Sequence, residues 1–374
     1  MFAPVNLPVI DIDVLLPVAR NLGGDNNDVT ISEKQMRVGR QMLAALGSHG
    51  AFHCVTVRQE GNLDDAILFR TANTLLQAAQ DDTQTATVKQ GGFVRGFLGM
   101  GAESGGTALE VKTGFSYGHA WDPQASPRNK LQGPNVFPRN IHPDTRAKAV
   151  HFHAWCCRVA HAITRGLALA LPDNTLLQEC CASERDAEEA QSISLMRVFK
   201  YYPYESAGAN HNAVPHVDRL GSSPHTDWGY LTLIRSTEPG LQIASTPTVT
   251  PETVWRTVEP VKNAFIVNGG DYLSVVTRGR VISPLHRVIN TQNAERTSMV
   301  FFYYPPFDTR VPSDFDLTVE DKQVVDRLKH LSLFADQRDD KTKIKANSAP
   351  VLDLKTVSFG DYICSKWESV SRNY

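Results

Sequence analysis

The stretch Pro224-His225-Thr226-Asp227-Trp228-Gly229-Tyr230-Leu231-Thr232-Leu233-Ile234 joins two metal-ligating residue types to a run with the composition of a buried strand. Aromatic, branched and threonine side chains from Tyr230 to Ile234 fit the pleated surface of a sheet. On an extended backbone the side-chain period is two, so His225 and Asp227 point the same way while Thr226 points oppositely. A rigid strand next to the pair suits a metal site, and a further ligand must then come from elsewhere in the sheet.

Outward from this stretch the same pattern repeats. Short apolar or alternating runs occur at Leu195 to Tyr201, Leu241 to Ala244, Phe265 to Asn268 and Met299 to Tyr304, separated by turn signals. That spacing predicts an all-β sandwich or barrel in the second half of the chain. The first half reads differently. Leu7 to Ile12 is a short strand, Ser32 caps a helix over Glu33 to Leu46, and a strand follows at Ala51 to Val57. Asn21 to Asp28 reads as a surface connection, and Gly91 to Pro138, rich in glycine, proline and aromatics, as loops and short strands suited to a pocket rim. Between His142 and Leu171, Phe152, Cys156, Val159, Ile163 and Leu167 recur at helical spacing, and Phe359 to Val370 reads as a terminal helix. The expected organisation is mainly β with flanking helices in one structural unit. Residues 1–140 supply pocket loops, 141–192 a supporting helix and connection, 193–310 the catalytic core, and 311–374 an extension with the terminal helix.

Composition narrows the function classes. With 38 basic and 40 acidic residues among 374, the formal net charge of −2 supplies no positive field for a phosphate backbone, which argues against nucleic acid. Neither a basic leader with an apolar run nor a stretch of roughly 18 uninterrupted apolar residues is seen, so a cytoplasmic, non-membrane protein is expected. The six cysteines, Cys54, Cys156, Cys157, Cys180, Cys181 and Cys364, lack C-x-x-C spacing and read as buried free thiols.

His-x-Asp occurs three times, so context decides among the copies. His142-Pro143-Asp144 opens the long helix, where proline and an acidic residue are ordinary first-turn choices. His216-Val217-Asp218 sits in an Asn- and Pro-rich loop, and only His225-Thr226-Asp227 runs directly into a strand. The candidate third ligand is His286 in Ser283-Pro284-Leu285-His286-Arg287-Val288. A lone histidine is more often structural than ligating, but ten residues on, Arg296-Thr297-Ser298 again puts a donor pair on one strand face. An arginine fork and a serine hydroxyl together can hold a carboxylate. Two histidines and one carboxylate on one face of iron(II) leave adjacent positions for a chelating co-substrate and oxygen.

These motifs, with Leu7-Pro8-Val9-Ile10-Asp11, Arg197 to Pro203, Gly240-Leu241-Gln242 and Asn268-Gly269-Gly270-Asp271, stand in an order that resembles the isopenicillin N synthase-like branch of the iron(II)/2-oxoglutarate-dependent dioxygenases. The resemblance implies a double-stranded β-helix (jelly roll), Fe(II), 2-oxoglutarate and O2 as cofactor and co-substrates, and His225, Asp227 and His286 as metal ligands. It implies that Arg296 and Ser298 bind the distal carboxylate and that Tyr202 lies near the co-substrate, although Lys200-Tyr201-Tyr202-Pro203 departs from the commoner Asn-Tyr-Tyr-Pro form. Asn268 to Asp271 is read as a turn between strands and Tyr201 as core packing. The implied reaction oxidises a small molecule by hydroxylation, desaturation or ring formation, releasing succinate and CO2. An iron oxidase that does without 2-oxoglutarate, and a silent ligand-binding relative, remain the alternatives. Arg95, Glu110, Phe115, Tyr117 and Phe302 are candidate substrate contacts, Arg95 for an acidic group.

Overall fold

The computed structural model describes residues 4–16, 32–57, 63–82, 86–87, 94–102, 110–119, 121, 124, 129–171, 177, 192–203, 220–290, 294–311 and 356–370. Among these residues twelve strands form two sheets that face each other as a jelly roll. Strands β1 (Val9–Asp11), β2 (Ala51–Val55), β3 (Gly96–Leu98), β4 (Lys112–Gly118), β5 (Leu195–Tyr201), β7 (Leu231–Ser236), β10 (Phe265–Gly269) and β12 (Arg296–Tyr303) make the larger sheet, in the order β1-β2-β10-β7-β12-β5-β4-β3. The smaller sheet runs β6-β11-β8-β9, from β6 (Leu220–His225), β11 (His286–Ile289), β8 (Leu241–Ala244) and β9 (Trp255–Thr257). The strands expected in the first half of the chain are present as β1 to β4, and they extend the larger sheet at both ends.

Strand alternation divides the larger sheet into two working faces. On β12, Met299, Phe301 and Tyr303 are buried in the main apolar core, with Leu231 and Leu233 of β7 and Met196 and Val198 of β5. Three helices cover that face: α1 (Glu33–Ser48), α2 (Asp65–Asp81) and α3 (Pro143–Ala170). Ser32 begins α1 with a capping box in which its hydroxyl accepts from Gln35 N and the Gln35 side chain accepts from Ser32 N. Helix α2, which the sequence reading left unassigned, turns Leu68, Ala72, Leu75, Leu76 and Ala79 inward at helical spacing. His142 caps α3 and Pro143 occupies its first turn, as their residue types suggested.

The opposite face of the larger sheet looks at the smaller sheet. There Arg296, Ser298, Val300 and Phe302 of β12 alternate with the core set, and Arg197, Phe199 and Tyr201 of β5 do likewise. The last helix, Phe359–Val370, closes one end by placing Trp367 against Phe302, with ring centroids 6.3 Å apart, and Trp228, at 5.0 Å. Among the described residues Cys54, Cys156, Cys157 and Cys364 form no disulfide, and no helix is long and apolar enough to cross a membrane. Cys180, Cys181 and the segment Asn21 to Asp28 lie outside the described residues.

Candidate active site

Register brings the distant histidines together. In the antiparallel pairing of β11 with β6, His286 stands directly opposite His225, and the two rings lie 4.3 Å apart between centroids. Asp227, just past the end of β6, places Oδ1 4.0 Å from His225 Nε2 and Oδ2 3.8 Å from His286 Nε2. The ligand atoms of all three lie within 4.8 Å of one another. Each imidazole is set the same way, since His225 Nδ1 donates to Ser223 O at 2.7 Å and His286 Nδ1 donates to Pro284 O at 3.0 Å. A carbonyl can only accept, so Nδ1 carries the proton and the Nε2 lone pair faces the centre. Enclosure and the adjacent His286 push His225 down to about 4, which keeps that ring neutral at ordinary pH.

The three groups fit a divalent cation. Asp227 is 5 % exposed and its Oδ2 has no hydrogen-bond partner among the described residues. A buried carboxylate oxygen without a donor is costly, and two neutral nitrogens aimed at the same point cannot supply one. A metal ion satisfies all three, and two nitrogens with one carboxylate oxygen is the donor set that leaves a face of iron(II) open.

The backbone around Asp227 is held by Asn268-Gly269-Gly270-Asp271. Gly270 N donates to Tyr230 O at 2.9 Å and Asp271 N to Asp227 O at 2.7 Å, while Asp271 Oδ2 accepts from Thr226 Oγ1 at 3.1 Å. This contact requires glycine, since a Cβ at position 270 would sit 2.2 Å from Gly229 O. The motif, expected as a turn between strands, instead ends β10 and starts the short helix Asp271–Val276, and it also docks onto the ligand loop. Gly240-Leu241-Gln242 and Arg287 have a structural use too, because buried Gln242 accepts from Arg287 Nε at 2.9 Å on the face away from the ligands.

A cavity of about 180 Å³ lies between the sheets and takes in the three ligands together with Arg296 and Ser298. Arg296 is 3 % exposed; its Nε donates to Glu238 O at 2.9 Å and its guanidinium stacks 4.9 Å from the Tyr201 ring centre. Burial lowers its pKa, yet a guanidinium remains a cation at any ordinary pH. Its Nη1 and the Ser298 Oγ are buried without a hydrogen-bond partner among the described residues, both on the cavity face of β12. Two donors without an acceptor at one end, and a ligand set without a cation in the same cavity, suit a carboxylate that also reaches the metal.

The candidate contacts divide. Glu110 and Phe302 line the cavity, whereas Arg95, Phe115 and Tyr117 do not. On β4, Lys112 shares the cavity face, so Phe115 and Tyr117, of opposite parity, turn to the helices, where Tyr117 Oη donates to Ala149 O at 3.1 Å. Arg95 is 3 % exposed and spends Nη2 on Leu131 O at 2.6 Å. The tyrosine assignment also shifts by one residue. Tyr201, in phase with Arg197 and Phe199, lines the cavity, while Tyr202 lies beyond the end of β5 and its hydroxyl meets Thr113 Oγ1 at 3.1 Å. Lys112, Arg197, Phe199, Trp228 and Trp367 are cavity walls that sequence reasoning missed, and Arg197-x-Phe199-x-Tyr201 was the available signal. His216 lies outside the described residues.

Residues 193–305 match the profile of the 2OG-Fe(II) oxygenase superfamily. Homoarginine-6-hydroxylase 2-ODD-C23 from Glycine max is 31 % identical over 48 % of this chain and 51 % of its own length, and clavatol oxidase claD from Penicillium crustosum is 32 % identical over 48 % and 50 %. The chain thus spans about half the length of these curated relatives. A full-length Neurospora crassa protein, solved in complex with alpha-KG, superposes over 99 % of each chain with a TM-score of 0.63 at 16 % identity, a likeness of fold. Residues 193–305, which hold most of the jelly roll and all three candidate ligands, thus resemble the 2OG-Fe(II) oxygenase superfamily.

Proposed function

We propose that the protein is an Fe(II)- and 2-oxoglutarate-dependent dioxygenase of a small molecule, in the isopenicillin N synthase-like branch of its superfamily. The observation that carries this reading is the coexistence, in one cavity, of the converging His225, Asp227 and His286 with the partnerless donors of Arg296 and Ser298. In this reading the first three hold iron(II) and the last two grip the far carboxylate of 2-oxoglutarate, with Tyr201 as the platform under the Arg296 fork.

Iron(II) with 2-oxoglutarate supplies the oxidising chemistry, in which one oxygen atom of O2 enters succinate as CO2 leaves and the other is available to a substrate C–H bond. The chain's own part is to bind, orient and exclude water. The Ser223 and Pro284 carbonyls fix the two imidazoles. Phe199, Trp228, Phe302 and Trp367 make the substrate end apolar, and Arg197 adds positive charge to it, the Lys112 ammonium being paired with Glu110. A substrate with an apolar body and an acidic group fits those walls. Arg197 takes the role that the sequence assigned to Arg95.

The reading is tested by adding iron(II) to metal-free protein with 2-oxoglutarate and following succinate. Slow release that requires iron and disappears in Asp227→Ala supports it. Equal release without iron, or from the variant, overturns it.

A further inference from the structure

His225 is aimed by an irregularity in its own strand. Between β6 and β11 the partners run His225 with His286 and Ser222 with Val288, so Ser223 and Pro224 together oppose the single residue Arg287. That is a β-bulge, the feature that bends a strand and redirects a side chain. Pro224 has no N–H to contribute there, and β6 is the outer strand of its sheet, so the Ser223 N–H needs an acceptor from outside the ladder.

The acceptor is Glu110. Its Oε1 takes the Ser223 N–H at 2.7 Å, and its Oε2 takes Lys112 Nζ at 2.7 Å. Lys112 Nζ also stands 3.5 Å from Ser222 Oγ, and Val111 N donates to Leu220 O at 3.2 Å. The segment 110–112 therefore braces the bulged strand across to the larger sheet, which β4 continues. On its other side the Ser223 peptide takes up His225 Nδ1–H through its carbonyl. One peptide unit thus receives the carboxylate at its N–H and the imidazole at its oxygen. Hydrogen bonds in series polarise one another, so each strengthens the other. Glu110 is 3 % exposed, and although burial works to raise its pKa, Lys112 and the Ser223 N–H outweigh that and hold it below its ordinary value, ionised at neutral pH.

We propose that Glu110 is a positioning residue that clamps the Ser222–His225 bulge and, through the Ser223 peptide, fixes the direction of His225 toward the metal. Glu110 lines the cavity, but its two oxygens are spent on this brace, which separates it from a substrate contact. The inference rests on the metal-site reading above.

The test uses the full chain stripped of metal and titrated with cobalt(II), whose visible absorption reports ligand geometry. Three proteins are compared: wild type, Glu110→Ala, and the double variant Glu110→Gln/Lys112→Met, which keeps an acceptor for the Ser223 N–H while removing both charges. Supporting partners behind metal ligands typically contribute about 10- to 100-fold in affinity, so Glu110→Ala should weaken cobalt by that factor and alter its spectrum. The double variant should bind within about threefold of wild type, since its acceptor survives. Amide exchange at Ser223 should quicken in Glu110→Ala and stay slow in the double variant. Wild-type affinity in Glu110→Ala overturns the proposal. If Glu110→Ala fails to fold, the double variant decides alone: retained affinity with a protected Ser223 amide supports the clamp, and lost affinity overturns it. Failure of wild type itself to bind cobalt would instead sink the metal-site reading.

Discussion

Arg296→Ala is the substitution whose effect follows most directly from the geometry. Arg296 is buried on the cavity face of β12, its Nε is already satisfied by Glu238 O, and its Nη1 has no hydrogen-bond partner among the described residues. A carboxylate bound there gains a charge-assisted hydrogen bond in surroundings from which water is largely excluded. Such a bond contributes about 1.5 to 3 kcal/mol. At about 1.4 kcal/mol per factor of ten, its removal weakens 2-oxoglutarate by roughly 10- to 150-fold. Calorimetric titration of the manganese(II) form under anaerobic conditions measures this without turnover. Metal affinity, determined separately, should stay within about threefold, because Arg296 touches none of the three ligands and the ligand set itself is unaltered. Arg296→Lys should fall between the two proteins, since an ammonium keeps the charge but loses the planar fork and its stacking on Tyr201. Unchanged 2-oxoglutarate affinity in Arg296→Ala would refute the assignment of this end of the cavity.

Three other outcomes follow from the same structure. His225→Ala, Asp227→Ala and His286→Ala should each abolish stoichiometric iron binding, measured by metal analysis after dialysis, while His216→Ala should retain it; the reverse order would move the site to the other His-x-Asp copy. Gly270→Ala drives a Cβ into Gly229 O, and since backbone cannot yield cheaply it should lower stability by about 1 to 3 kcal/mol and impair metal binding together, read by denaturant titration and metal analysis. His153, buried beside Phe301 and lowered to about 4 by desolvation, binds a proton in the unfolded chain before it does in the folded one. Stability present above pH 6.5 is therefore lost as pH falls toward 4, by up to roughly 3 kcal/mol from this residue. His153→Phe should flatten the dependence of the urea midpoint on pH in that window, and an unaltered slope would contradict the linkage.

How much of this was legible depends on what each signal measures. Strand composition pointed to an all-β sandwich or barrel, the family resemblance implied the jelly roll, and His225, Asp227 and His286 were nominated on residue type and context before it. The face presented by a strand was harder to read. Phe115 and Tyr117 were selected in an irregular stretch and Tyr202 on the family resemblance, but parity turns Phe115 and Tyr117 away from the cavity, Tyr117 onto α3, and leaves Tyr201 in it. Parity is only interpretable once one residue's direction is known, and Lys112, on the same strand, carried no motif to reveal it. The strand that bears His225 was hidden for a related reason. Leu220-Gly221-Ser222-Ser223-Pro224 has weak β-propensity, and tertiary bonds from Val111 and Glu110 hold it extended. Arg95 illustrates a third limit: a charge in a glycine-rich segment looks exposed, whereas here its guanidinium meets a buried carbonyl.

The central claim, that this cavity oxidises with 2-oxoglutarate, is tested most directly by following oxygen uptake and succinate release in one vessel containing protein, iron(II) and 2-oxoglutarate. The account predicts that the two appear in a ratio of about one to one, that both vanish in His286→Ala, and that succinate falls in Arg296→Ala at limiting 2-oxoglutarate. Oxygen uptake with no succinate would contradict it and identify an iron oxidase of the same fold.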